Sequence, residues 1–431
     1  SIRPQPPRND QDSNISPAPS RDLEIRWNWN TPFILSPHNQ RVIFAGSNRL
    51  FKSLDQGRTW TMSPDLTKNV DRDEIEIMGQ YNSLPRCRPW IRGEECILSR
   101  NDGVSQYSTI VSIAESTLMP GVLWVGTDDG NIQLSRDGGN TWTEVGTNIP
   151  GGTHNYYVSR VEASHSDPGR AYASLDGHRS DDLRPHIYMT HDFGETWTSI
   201  ESDLPSYGNV RTIREDPQNS DLLYAGTEFG FYISLNGGDN WHKFMNNLGT
   251  TRIDDVIVHP RDNDLVLATH GRSVQIMDDI TPLQGLNAHV LETDVHLFEP
   301  REAVLWKQDR RFSRSVTGAK IWQGKNAPQG TMISYYLKDG TNGAANITVT
   351  DLSTGETFRE IEGSTNKGLN RVAWDLRGTA PPIEESVNRG FFGRNQAPTA
   401  EPGTYRITLE VNGESLSQLV DVLEDVWMDE R

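Results

Sequence analysis

The chain has 431 residues, enough for two or three domains and a substantial core. Its formal net charge of −18 argues against nucleic acid or an anionic membrane surface as the main partner, because both reward an excess of Lys and Arg. With 12 Trp, 37 Gly, 24 Pro and only 34% hydrophobic residues, the composition is that of an exported, mostly β protein with an acidic, solubilising surface.

Residues 1–22 open with Ser-Ile-Arg-Pro-Gln-Pro-Pro and continue rich in Asn, Asp, Ser and Pro. This is the composition of an extended tail that lies against a partner, and Ser1 is a candidate processed end. No stretch reaches the ~20 apolar residues of a membrane-spanning helix.

From residue 23 to about 285 one unit repeats. It comprises a strand, a turn that contains proline, a second strand ending in small residues, and an eight-residue box leading into a last strand. The second strands are Val42–Gly46, Leu123–Thr127, Ala171–Ser174 and Leu223–Thr227, read as alternating strands. The boxes run Ser53 to Trp60, Ser135 to Trp142, Thr190 to Trp197 and Ser234 to Trp241. Each has a hydroxyl first, then Asp or Asn (Asp55, Asp137, Asp192, Asn236), Gly (Gly57, Gly139, Gly194, Gly238) and Trp. The Asp or Asn caps backbone N–H groups, the Gly supplies a positive φ, and the indole is expected to be buried against the sheet.

The third box residues lie 82, 55 and 44 positions apart, so the first gap holds an insertion at about 64–104. A fifth unit follows without a box, at Val256–Pro260, Leu265–Arg272 and Val274–Met277. Five such units predict β-propeller blades, and a propeller closes with about four to eight.

Cys87 and Cys96, the only cysteines, bracket a Pro- and Gly-containing loop inside the insertion. They are expected to form a disulfide in an oxidising compartment, periplasmic or extracellular. Two isolated cysteines without a neighbouring His make no zinc site, and no cofactor or metal is implied.

Beyond a connector at 286–320 the box disappears. Short alternating strands at Gly330–Leu337, Ala345–Thr350, Asn370–Asp375 and Gly403–Val411 predict an immunoglobulin- or fibronectin-like β-sandwich over 321–431, with a long loop at 378–402.

The boxes, together with Gly226-Thr-Glu-Phe-Gly230, Thr269-His-Gly-Arg-Ser273, Asp176-Gly-His-Arg and Gly368-Leu-Asn-Arg-Val-Ala-Trp, resemble the bacterial BNR (Asp-box) repeat proteins of the sortilin-like propeller group. The resemblance implies that this chain matches the C-terminal part of longer members, with further blades ahead of it. It also carries the label glycosyl hydrolase, which those members receive for their boxes.

A sialidase-like propeller binds a carboxylate with three arginines at its tunnel mouth. Arg160, Arg211 and Arg252 lie eight, six and eight residues ahead of Pro168, Pro217 and Pro260, and even offsets would set them on one strand face. The competing reading is that these arginines pair with Glu162, Glu215 and Asp254 inside a polar channel. Asp128 and Glu228, after equivalent strands, are candidates for a carboxylate pair. His178-Arg179 and His270-Gly-Arg272 are turn residues suited to an anion or to local hydrogen bonds.

Two functions compete on this reading. One is a non-catalytic exported scaffold, a structural subunit of a larger and membrane-associated assembly that it contacts through its tail and blade faces. The other is a glycan-active hydrolase working through the propeller tunnel.

Overall fold

A computed structural model describes residues 17, 23–71, 76–77, 80–81, 106–153, 155–307, 327–380 and 397–426. The expected disulfide, nearly all of the tail, most of the insertion and residues 381–396 of the long loop lie outside the described residues. The chain divides into two compact units, residues 1–259 with 265–276 and residues 260–264 with 277–431.

The first unit is built from propeller-type sheets. Blade one holds β1 (Phe33–Leu35), β2 (Ile43–Gly46), β3 (Leu50–Ser53) and β4 (Thr61–Met62). After a short pair, β5 (Glu76–Ile77) and β6 (Gln80–Tyr81), blade two holds β7 (Ile110–Glu115), β8 (Leu123–Thr127), β9 (Ile132–Ser135) and β10 (Thr143–Glu144). Blade three holds β11 (Tyr157–Ala163), β12 (Ala171–Asp176), β13 (Ile187–Thr190) and β14 (Thr198–Ser199). Blade four holds β15 (Val210–Glu215), β16 (Leu223–Thr227), β17 (Gly230–Ser234) and β18 (His242–Lys243), and blade five has three strands, β19 (Ile253–Val258), β20 (Leu265–Thr269) and β21 (Val274–Met277). Within every sheet the strands neighbour one another in chain order.

The second strands are not half-exposed alternating strands. Every residue of β8, β12 and β16 is buried, because both faces of these blades are covered by neighbouring blades. Blade packing is close enough to require glycine. A Cβ on Gly46, Gly126 or Gly226 would lie 2.7, 2.5 or 2.7 Å from Ile110, Val158 or Ile253 on the first strand of the next blade.

The boxes fold alike. In the first, Ser53 Oγ accepts from Gly57 N (2.7 Å), and the Asp55 carboxylate accepts from Thr59 N (2.8 Å) and Thr59 Oγ1 (2.7 Å). The other three repeat the hydroxyl contact, with Gly139, Gly194 and Gly238 N–H donating at 2.8, 2.9 and 2.8 Å. The four box glycines have φ between 82° and 99°. Capping by Thr59 and Thr141 holds Asp55 and Asp137 down at about 2.

The tryptophans differ. Trp197 and Trp241 are buried and donate to the preceding blade's Val145 O (3.1 Å) and Ile200 O (2.8 Å). Trp60 and Trp142 are only partly buried, against the expectation for all four, and bond their own Gly57 O and Gly139 O (both 3.1 Å).

The second unit starts with α1 (Thr281–Gln284) and α2 (Ala288–Glu292). Two sheets follow over one core. The smaller joins β22 (Val295–Leu297), β24 (Thr331–Leu337) and β27 (Gly368–Trp374); the larger orders β23 (Ala303–Leu305), β29 (Glu414–Glu424), β28 (Gly403–Val411), β25 (Ala345–Asp351) and β26 (Thr357–Gly363). Their shared core includes Ile333, Val349, Ile407 and Trp374, and the Trp374 ring meets Tyr405 at 5.1 Å. β22 and β23 fall within the stretch expected to be a connector, and β23 pairs in parallel with β29.

Candidate functional site

The second strand of each blade hands the chain to a polar position at one end of the sheet. Asp128 N, Glu228 N and His270 N donate to Thr109 O (3.0 Å), Asn209 O (3.0 Å) and Arg252 O (2.9 Å), each the residue just before its blade's first strand. Asp176 pairs with Tyr157 in the same register. Asp128, Asp176, Glu228 and His270 therefore occupy one repeated position in blades two to five. Asp128 and Glu228 stand two blades apart, with Asp176 on the blade between them. The acid of blade three was legible by counting from the small-residue strand that starts at Ala171, but only once blades are aligned by strand rather than by box.

Each acid has a different environment. Asp128 is buried and accepts from Thr109 N (2.7 Å), Thr109 Oγ1 (2.8 Å) and Asn28 Nδ2 (3.4 Å). Desolvation outweighs these donors and pushes its carboxyl up to about 6. Asp129 beside it accepts from Thr127 Oγ1 (2.5 Å) and Lys68 N (2.8 Å). Asp176, also buried, accepts from His178 N (3.0 Å), pairs with His178 Nδ1 (2.7 Å) and bonds Arg211 Nη1. Burial opposes its ionisation, yet His178 and Arg211 together hold it below the usual range. The other side of the Arg211 guanidinium grips Glu228 through Nε (3.1 Å) and Nη2 (2.8 Å). One arginine thus bridges two carboxylates of neighbouring blades.

The three arginines chosen from the sequence stand at three different positions of their blades. The first strands of blades two to five each carry a β-bulge, at Ile110/Ser112, Val158/Arg160, Val210/Thr212 and Ile253/Asp255. Pro168 stands five residues beyond the end of β11 whereas Pro217 and Pro260 stand two beyond the ends of β15 and β19, so offsets counted from the prolines reach different strand positions, and the bulge shifts the count again beyond it. Arg211 is the bulged residue of its blade, Arg160 follows the bulge in its own, and Arg252 precedes β19.

Arg160 Nη2 bonds Asp255 Oδ1 (2.5 Å) and its Nε reaches Thr212 Oγ1 (3.3 Å). Arg252 lies 2.8 Å from Asp254 and 2.7 Å from His270 Nδ1. Arg214, not singled out from the sequence, bonds Glu162 (2.5 Å), Asp255 (3.1 Å) and Val256 O (2.9 Å). The result is a charge-balanced ladder, Glu162–Arg214–Asp255–Arg160, across blades three to five. Burial raises both carboxylates, and the arginines more than reverse it, most directly Arg214 on Glu162 and Arg160 on Asp255. Glu215 instead accepts from Ser164 Oγ (2.9 Å), His165 N (2.9 Å) and Tyr172 OH (2.8 Å), with Arg170 at 3.9 Å.

Beside Arg211 lies an open recess of about 250 Å³, lined by His178, Leu183, Tyr207, Asn209, Glu228 and Phe229. Tyr207 and Phe229 are both exposed and stack with centroids 5.3 Å apart at 14°. The arrangement offers an aromatic face with a polar floor, suited to binding. Among the described residues no group of three or more His, Cys, Asp or Glu is arranged to hold a metal ion.

No family model matches the chain. It is 25% identical over 187 residues to an oligoxyloglucan-reducing end-specific xyloglucanase of Emericella nidulans, covering 41% of this chain and 22% of that protein. It is 23% identical over 157 residues to the Photosystem II assembly lipoprotein Ycf48 of a Synechococcus species, covering 36% and 42%. The chain spans less than half the length of either relative. Among solved structures it is similar to Ycf48 bound to D1 peptide (TM-score 0.34, 15% identity, 59% of this chain and 72% of that one). It is also similar to a GH74 enzyme of Niastella koreensis (TM-score 0.39, 12% identity, 89% and 56%).

Proposed function

We propose that this chain is a non-catalytic exported scaffold, an accessory subunit of a larger, membrane-associated assembly. In this reading its propeller-type blades and an immunoglobulin- or fibronectin-like sandwich present surfaces to protein partners. The observation that supports it is the use of the mouth charges. Arg211 holds both Asp176 and Glu228, Arg160 and Arg214 hold Asp255 and Glu162, and Asp128 is enclosed by Thr109 and Asn28. A general acid or base has to reach its substrate within hydrogen-bond distance, and groups engaged in this way serve structure first. No helix among the described residues is long and apolar enough to cross a membrane. The relative named an assembly lipoprotein fits this class, and a Cys87–Cys96 bridge would fit an exported location.

The second reading, a glycan-active hydrolase, draws on the two-sided recess. Tyr207 and Phe229 could stack on a sugar ring beside Glu228 and Arg211, and one relative is named a xyloglucanase. There Glu228 and Asp128, with Arg160, Arg211 and Arg252, remain the residues to test. Native purification from membrane and soluble fractions, with mass spectrometry of co-migrating chains, decides between the two. Stoichiometric recovery in a complex supports the scaffold. A free monomer that releases reducing ends from xyloglucan oligosaccharides overturns it.

A further inference from the structure

The aromatic wall of the recess beside Arg211 is fixed by its own backbone. Tyr207 and Phe229, 59% and 41% exposed, hold their rings nearly parallel. Gly208, at φ 130°, turns the chain after Tyr207 and donates its N–H to Leu183 O (2.8 Å). A Cβ at this glycine would lie 3.3 Å from Phe229 Cδ2, so the close approach of that ring needs a residue without one. Phe229 N in turn donates to Thr227 Oγ1 (3.3 Å). The two rings form a platform whose faces carry the negative side of the aromatic quadrupole.

The polar atoms that line the recess are acceptors in want of donors. Asn209 is 3% exposed; its Nδ2 donates to Asp182 O (2.9 Å), and its Oδ1 accepts no hydrogen bond among the described residues. Arg211 gives both Nε and Nη2 to one oxygen of Glu228, Oε2, so that Oε1 of this partly exposed carboxylate is also without a donor among the described residues. His178 meets Asp176 through Nδ1, which leaves Nε2, an acceptor in the neutral imidazole. All three nitrogens of Arg211 are engaged, Nη1 by Asp176. Two carboxylates, Asp176 and Glu228, against one guanidinium leave the floor with one negative charge.

We infer that this recess receives the side chain of an arginine presented by a protein partner, stacked on the Tyr207–Phe229 platform with its N–H fork shared between Glu228 Oε1 and Asn209 Oδ1. A guanidinium is planar, lies flat on an aromatic face, and carries five donors and no acceptor, which complements a floor that offers acceptors. The alternatives fit less well. A carboxylate would add charge to a floor already negative, a lysine ammonium has no plane to stack, and a sugar hydroxyl brings lone pairs to a floor whose arginine nitrogens are already engaged. The formal charge of −18 draws basic partners towards the same surface. The ligand class stands on the recess alone; that the arginine belongs to a protein partner rests on the scaffold reading.

The test is saturation-transfer NMR on the full chain, with Nα-acetyl-arginine amide, its neutral isostere Nα-acetyl-citrulline amide and a xyloglucan oligosaccharide as probes. Saturation is expected to reach the arginine δ-methylene protons, with the citrulline probe bound about fivefold more weakly or worse. Raising salt from about 0.05 to about 0.5 M should weaken arginine binding by about threefold or more. Tyr207→Leu, Phe229→Leu and Glu228→Gln should each lower the arginine signal by about threefold or more, and Tyr207→Leu, at a mostly exposed ring, should do so with its melting temperature unchanged. Leu419→Ala, on the second unit, should leave the signal as it is. Equal binding of the arginine and citrulline probes, no arginine binding, a signal unmoved by both Tyr207→Leu and Glu228→Gln, or saturation that reaches the oligosaccharide and not the arginine probe overturns the inference. If the probe fails while the chain is recovered in a complex, the inference falls and the scaffold reading stands; if the probe binds as expected while the chain migrates free, the ligand class holds and the protein partner falls with the scaffold reading.

Discussion

Gly126→Ala should separate two blades that are otherwise in close contact. The alanine Cβ would sit 2.5 Å from Val158 Cγ1, 3.0 Å from Val158 Cβ and 3.2 Å from Val161 Cγ1. Carbon pairs prefer about 3.5–4.0 Å, so the nearest contact overlaps by about 1 Å. Escape routes are closed. Val158 is fully buried and stiff at χ1, and the neighbouring Ser159 Oγ is tied to Val210 O of blade four (2.8 Å). The strain therefore falls on the packing between blades two and three, at about 3 kcal/mol, the upper part of the overpacking range. For a unit of this size that is a melting-temperature drop of about 6–12 °C, read by calorimetry or circular dichroism. Val158→Ala made in the Gly126→Ala background should restore about 1–2 kcal/mol relative to the sum of the single effects, because it removes the clashing methyls. An unchanged melting temperature for Gly126→Ala, or strict additivity of the pair, would refute the close-approach argument.

Arg211→Ala leaves the Asp176 carboxylate, 1% exposed, without its main cation, and should cost about 3–5 kcal/mol in urea unfolding. Arg252→Ala breaks a pair whose Asp254 is 41% exposed and should cost less than about 1 kcal/mol; equal losses would show that burial does not set the ranking. Asp128, with a folded value of about 6 against 3.8, binds its proton more tightly when folded, so its contribution is complete below about pH 4 and fades as pH rises through 6. The fall is up to about 3 kcal/mol. Asp128→Asn should flatten it while Thr109 N keeps its acceptor, and a wild-type stability profile without this fall between pH 4 and 7 would sink the assignment. Trp197→Ala, which empties a buried indole site and strands Val145 O, should cost about 3–5 kcal/mol by chemical denaturation. Trp142→Ala, at a half-buried indole bonded within its own box, should cost less than half as much, and similar losses would mean that the blade-to-blade bond carries no weight.

The blades were legible because the box encodes its own geometry. Ser53, Asp55 and Gly57 close the turn through contacts at most four residues apart, which no tertiary context has to supply. The mouth was less legible, since its chemistry depends on which residue meets which across blades. Arg160 reaches Asp255, 95 positions away, rather than nearby Glu162, and Arg214 takes Glu162 instead. The second unit was read through the strands that alternate strongly, such as Gly403–Val411. It was missed at Val295–Leu297 and Ala303–Leu305, three-residue strands too short to show a period.

Unequal turns and a repeated bulge explain why composition succeeded where spacing failed. Arg, Glu and Asp on first strands did point to ion pairs between blades, a statement about residue type that survives any change of register. Placing three arginines on one face required the period of two to hold from the proline turn to the mouth. Pro168 stands five residues beyond the end of β11 but Pro217 and Pro260 only two beyond the ends of β15 and β19, and a single extra residue in each first strand, Val111, Ser159, Arg211 and Asp254, shifts the count again at the same place in four blades. Where the extra residue is Arg211 it turns into the bridge between Asp176 and Glu228, and where it is Asp254 it meets Arg252. The repeated irregularity therefore sets two charged residues, Arg211 and Asp254, beside their partners. Deleting Ser159 removes the bulge of blade three together with the Ser159 Oγ bonds to Ser174 and to Val210 O of blade four, while Arg160 keeps its place opposite Ser174. Such a variant should lose about 1–3 kcal/mol in urea unfolding with the Arg160–Asp255 pair kept, and a stability equal to wild type would show that the bulge residue adds nothing to the packing of blades three and four.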